Sequence, residues 1–228
     1  VVTLALGLLF MKLAPQETEP PARRTTRAAV PLPAAMLARV FVVMTAAAIA
    51  SGVLFNFMTN GNGQLMAERL RGLVEDPSTL GALLAAVYAV ASVAQLIVGR
   101  LIDRYPLKPL YLVIVLGQVP LLVLAALAQG WWIFAALLGT MAMIFGAIPF
   151  TDAMIVRYVD DRLRSRVAGM RLTVAFGFSS GAVWLLGPMV KANGFALMLM
   201  VMAGVSALSA LALLALPGER SLAKLQTA

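Results

Sequence analysis

The chain returns again and again to apolar stretches of about twenty residues, the length an α-helix needs to cross the hydrocarbon core of a bilayer. Six such stretches are complete: 34–58, 79–102, 110–128, 131–156, 167–190 and 195–216. A seventh apolar run opens the chain and reads as the closing half of another span, over 1–13. Of the 228 residues, 61% are hydrophobic and 12% charged, against roughly 25% charged in an average soluble domain. A soluble fold of this size has no interior large enough for so much apolar surface. The fold class is therefore an all-α membrane protein, since a helix satisfies its own backbone in lipid. The run beginning at Val1 has neither a basic leader nor a cleavage site, so it is not a signal peptide. The sequence reads as a fragment whose N-terminal part is missing.

Two residue types are absent, and both absences remove chemistry. Without cysteine there are no disulfides and no thiolate sites. Without histidine there is no imidazole base, Ser-His-Asp triad or His-held metal. No Walker or dinucleotide-type glycine motif occurs. No cofactor or metal is expected, and a membrane enzyme would have few tools.

The loops are short except for two. Residues 14–33, rich in Pro, Thr and Arg, read as a flexible linker. Residues 59–78 read as a loop opened by Asn60-Gly61-Asn62-Gly63, with a short surface helix over 65–74. Pro217-Gly218 closes the bundle, leaving a tail over 217–228. Alternate loops carry fifteen of the eighteen Lys and Arg; the opposite side has only Arg69, Arg71 and Lys191. By the positive-inside rule, the linker and the C-terminal tail are cytoplasmic. The net charge of +8 follows from this topology and does not call for nucleic acid.

Polar residues recur at helical spacing within four of the spans. The second carries Gly81, Tyr88, Ser92, Gln95 and Gly99; the fifth carries Thr173, Gly177, Ser180, Gly181 and Trp184. The first offers Thr45, Gly52 and Asn56, the fourth Thr140, Gly146, Pro149 and Asp152. Unpartnered polar groups are costly in lipid, so these faces look at protein or at a water-filled cavity. Cavity lining makes Thr45, Asn56, Tyr88, Ser92, Gln95, Thr140 and Ser180 candidate substrate contacts. Packing through small residues is the competing reading, above all for Gly177 and Gly181. The third and sixth spans are almost wholly apolar and read as outer, lipid-facing helices. Asp152 is either a proton or cation site or the partner of Arg157 or Arg171 in a structural ion pair.

The segment Gly99-Arg100-Leu101-Ile102-Asp103-Arg104-Tyr105-Pro106-Leu107-Lys108 resembles the G-x-L-x-D-R-x-G-R-K loop of the major facilitator superfamily. Gly99, Leu101, Asp103, Arg104 and Lys108 match, and Pro106 stands where the family has Gly. The stretch 155–171 is similar to the loop between helices 10 and 11. The resemblance implies the C-terminal half of a twelve-helix fold: the end of helix 6, the central cytoplasmic loop, then helices 7–12. It implies that helices 7, 8, 10 and 11 line a cavity and that 9 and 12 face lipid. It further implies secondary transport of a small-molecule substrate by alternating access, in the cell inner membrane, together with an N-terminal six-helix half and with proton coupling as one mode. On the residues alone, Gly99 allows close approach of a neighbouring helix, Asp103 suits a facing helix N-terminus, and Arg104 and Lys108 suit acids. Such contacts make a gate; the alternative is that the bases only hold the loop inside. The competing functions are the membrane subunit of an ATP-driven transporter and a non-transport membrane protein.

Overall fold

A computed structural model describes Leu9 and residues 34–159 and 161–216. The expected span end over 1–13, apart from helical Leu9, the linker 14–33, the tail 217–228 and the side chain of Arg157 lie outside the described residues. The chain divides into Val1–Pro31 and Leu32–Ala228, and the described residues of the second unit are helical between their turns. Its elements are α1 (Ala34–Arg69), α2 (Pro77–Arg104), α3 (Leu107–Leu127), α4 (Trp131–Tyr158) and α5 (Asp161–Leu214). All five are long and apolar enough to cross a membrane.

The expected loop after the first span is helix instead. α1 runs unbroken through Asn60-Gly61-Asn62-Gly63 to Arg69. Three polar side chains that favour turns in isolation bond back to their own helix. Asn56 Nδ2 donates to Gly52 O at 2.9 Å, Thr59 Oγ1 to Phe55 O at 2.6 Å, and Asn60 Nδ2 to Asn56 O at 2.8 Å. Beyond them Leu65, Met66 and Leu70 are buried. That apolar face outweighs the poor propensity of two glycines, each costing about 1 kcal/mol. At 36 residues α1 is about 54 Å long, well beyond the hydrocarbon thickness.

α2 starts where expected. Asp76 Oδ2 accepts from Thr79 N at 2.9 Å, from Thr79 Oγ1 at 2.7 Å and from Ser78 Oγ at 2.5 Å, and Pro77 opens the first turn. These bonds, that from Ser78 first, hold the Asp76 carboxyl down to about 2. The two spans expected over 167–190 and 195–216 form one 54-residue element, α5. It is broken at Gly194, where φ 74° and ψ 170° are open only to glycine. The two arms, 161–193 and 195–214, both reach α1: a Cβ on Gly52 would sit 2.9 Å from Ser179 Oγ of the first, and one on Gly61 would sit 3.5 Å from Phe195 of the second and 3.9 Å from Leu186 of the first. The second lies along α3 through Ser206 and the last carbonyls of α5.

Two apolar clusters hold the bundle together, one toward each end. Leu54, Met58, Leu122, Leu137, Met141 and Leu199 belong to the cluster nearer Asp76. Val40, Tyr111, Phe150, Met154 and Leu213 belong to the one nearer Asp103, where the Tyr111 and Phe150 rings stack at 4.6 Å and 9°.

Candidate functional site

Two of the four polar stripes, those of α2 and the 161–193 arm, lie on sparsely covered parts of the bundle. In α2 only Val87 and Ala91 are buried. In the 161–193 arm, Phe176, Phe178 and Trp184 are exposed, Trp184 by 76%. Between this arm and α1 runs an open groove of about 550 Å³, lined by Val53, Thr173, Gly177, Phe178, Gly181 and Leu185 among others.

Most stripe hydroxyls are satisfied within their own helix. Ser92 Oγ donates to Tyr88 O at 2.8 Å, Thr173 Oγ1 to Gly169 O at 3.0 Å and Ser180 Oγ to Phe176 O at 2.9 Å. An i−4 bond of this kind removes the need for a partner from another element, so these residues do not by themselves demand a cavity. Tyr88 differs: its hydroxyl crosses to α1 and donates to Thr59 O at 3.1 Å, while its ring packs against Phe145. Thr45, Asn56 and Gln95 are half-buried. Thr140 is fully buried, its hydroxyl on Ala136 O at 2.8 Å, which leaves it no opening to a cavity. The packing reading of Gly177 and Gly181 does not hold among the described residues: a Cβ on either would meet nothing within 4 Å.

The loop between α2 and α3 is only Tyr105 and Pro106. Tyr105 N closes α2 on Leu101 O at 2.9 Å, and Pro106, at φ −58°, leads directly into α3. Proline suits this position because its ring already holds a helix-compatible φ. Among the described residues Gly99 approaches no other helix, since a Cβ there would also meet nothing within 4 Å. Asp103 and Arg104 are exposed. Lys108 does not pair with an acid as expected. Its ammonium donates to Leu214 O at 2.8 Å and Leu216 O at 2.5 Å, capping carbonyls that the end of α5 leaves without helical partners. Arg164 does the same for α4, donating to Val156 O at 2.7 Å.

Asp152 Oδ1 accepts from Arg171 Nη2 at 2.5 Å, joining α4 to α5. The arginine is the hidden member: its side chain is 9% exposed and the carboxylate's 73%. The third and last spans, expected to be outer helices, turn their few polar groups inward. Buried Ser206 donates to Gln118 Oε1 at 2.7 Å and to Val115 O at 3.0 Å, and Gln118 Nε2 reaches Met143 O at 3.3 Å. Their outward side chains, Val113, Leu116, Leu208 and Leu211, are apolar. Sequence reasoning missed Asn62, which the structure buries to 1% exposure; the flanking glycines disguised it as a loop residue.

The pattern of long apolar helices, with Asp103 and Arg104 closing α2, has a counterpart among known proteins. The family model described as Major Facilitator Superfamily matches residues 37–228. The chain belongs to the Major Facilitator Superfamily. This is a family of secondary transporters, so the protein is a multi-pass membrane protein of transporter rather than enzyme type. The match covers all five superfamily helices described above apart from the first three residues of α1. No curated protein matches the chain.

Proposed function

We propose that the chain is the C-terminal half of a secondary transporter and moves a small solute by alternating access, with the two arms of α5 as separate spans. The reading takes α1, α2, α4 and the 161–193 arm as the walls of the path, and α3 and the 195–214 arm as the outer pair. One observation carries it: the most polar stripes sit on the least buried helices. In the most apolar stretch of α2, 11% of residues are buried, against 50% in α4. A second six-helix half, held in the same inner membrane, would cover those exposed faces and leave a path between them. The linker and C-terminal tail then lie in the cytoplasm, following the Lys and Arg bias. Asp152, paired with Arg171, is the carboxylate best placed for proton coupling.

In this reading Asp103 and Arg104 are the gate, because Lys108 is committed to the end of α5. Exposed Asp103 is free to meet a helix N-terminus on the other half. Asp103→Asn in the complete transporter removes about 0.3–1 kcal/mol of dipole attraction, enough to shift a balanced inward–outward equilibrium several-fold. Expression stays normal, transport slows, and access to the path from the cytoplasmic side changes. Unchanged flux and unchanged access would leave the loop without a gating role.

A further inference from the structure

The face shared by α3 and the 195–214 arm carries a groove of about 260 Å³, lined by Leu112, Leu116, Ala207, Ala210, Leu211 and Leu214. Ala210 is buried, whereas Leu116, Leu211 and Leu214 are exposed, so small side chains make the floor and leucines the walls. Every lining side chain is Leu or Ala, and none offers a hydrogen bond. From Ala207 to Leu214 the helix rises about 10 Å. That is roughly two-thirds of the hydrocarbon depth of one leaflet, which is about 15 Å.

One end of the groove is charged. Leu214, a wall residue, gives its carbonyl to Lys108 Nζ at 2.8 Å, and Leu216 O accepts from the same ammonium. On α3, Leu112 stands one turn beyond Lys108. An ammonium has three donors, and the two carbonyls take two of them. Carbonyl oxygens solvate a positive charge but do not neutralise it. Among the described residues no carboxylate pairs with Lys108. The occupant that complements this surface is apolar along the groove and anionic at the Lys108 end.

We infer that the groove and Lys108 form a binding site for one acidic phospholipid of the cytoplasmic leaflet. An acyl chain lies between α3 and the 195–214 arm, and the headgroup phosphate accepts from the remaining donor of Lys108 Nζ. A zwitterionic lipid fits less well, because its own cation already balances the phosphate. Basic groups between helices at the cytoplasmic surface favour acidic headgroups for this reason. The inference rests on the proposed placement of α3 and the 195–214 arm on the lipid side, and on no solute or transport cycle.

The test offers the complete protein, purified in detergent, equal amounts of phosphatidylglycerol and phosphatidylcholine with identical acyl chains, and counts bound lipid by native mass spectrometry. The native chain retains phosphatidylglycerol in preference. Lys108→Gln lowers that preference about fivefold, the worth of one base at an anionic surface, and Lys108→Arg keeps it. Ala207→Leu fills the groove without touching the helix-end contact and removes the preferred adduct as well. It decides the matter alone if Lys108→Gln does not fold. No preference in the native chain, or a preference that survives either Lys108→Gln or Ala207→Leu, overturns the inference. Val113→Cys tests the placement separately: labelling there by a water-soluble maleimide removes the lipid-side reading and the inference with it. Lost lipid preference with position 113 protected removes the inference alone.

Discussion

Two pairs of helical segments in this bundle use polar residues in opposite ways. α3 and the 195–214 arm look apolar in sequence, yet they bury a hydrogen-bonded Gln118–Ser206 pair between them. α2 and the 161–193 arm look polar, yet Ser92, Thr173 and Ser180 are exposed and bonded to their own backbones. A hydroxyl that reaches the carbonyl one turn back is indifferent to its surroundings, whereas a glutamine amide, too long for that bond, has to find a partner on another helix. The kind of polar side chain therefore says more about its role than the number of polar residues in a span.

The largest expected effect comes from the buried pair. Ser206→Ala leaves Gln118 Oε1 without its donor and destabilises the protein by about 1–3 kcal/mol. Adding Gln118→Leu to Ser206→Ala recovers part of that loss, because no unpaired acceptor remains. Thermal unfolding of the single and double variants in detergent checks both. If the double variant is worse than the single one by the full cost of a second lesion, the pair is not coupled.

A smaller and more local effect is expected at the start of α2. With few buried residues, α2 leans on its Asp76 cap more than a packed helix would. Asp76→Ala speeds amide hydrogen exchange in the first turns of α2 and leaves α3 unaffected. The carboxyl is depressed from 3.8 to about 2. Its contribution is thus complete above its ordinary value and disappears as the pH falls through about 2. The protection of the same amides, observed exchange set against the intrinsic rate at each pH, follows that course in the native chain and is flat over it in Asp76→Ala.

The smallest effects belong to the exposed stripes. Ser92→Ala and Ser180→Ala each change stability by less than about 0.5 kcal/mol, as expected of surface positions whose bonds are local. A loss comparable with Ser206→Ala at either position would erase the contrast between the two pairs.

The positions of α2, α3 and α4 were legible from apolar length, because the transfer of some twenty residues into lipid dominates every local preference. The start of α2 was legible from Asp76-Pro77-Ser78, and its end around Asp103-Arg104 from the resemblance to a superfamily loop. The end of α1 was not. Asn60-Gly61-Asn62-Gly63 has turn chemistry, and only the burial of Leu65, Met66 and Leu70 against other elements keeps it helical. The role of Lys108 was hidden for a similar reason, since its acceptors are backbone carbonyls about a hundred residues away. Gly99 and Gly177 show the converse: their motif spacing suggests close packing, and the structure leaves both open.

The central claim is that the exposed stripes of α2 and the 161–193 arm face water while the equally exposed outer faces of α3 and the 195–214 arm face lipid. The chain has no cysteine, so single substitutions report cleanly. Ser92→Cys and Ser180→Cys, and for comparison Val113→Cys and Leu208→Cys, are made in the complete transporter and treated in native membranes with a water-soluble maleimide. The account predicts labelling at positions 92 and 180 and none at 113 and 208. Labelling at 113 and 208 with positions 92 and 180 protected would contradict it.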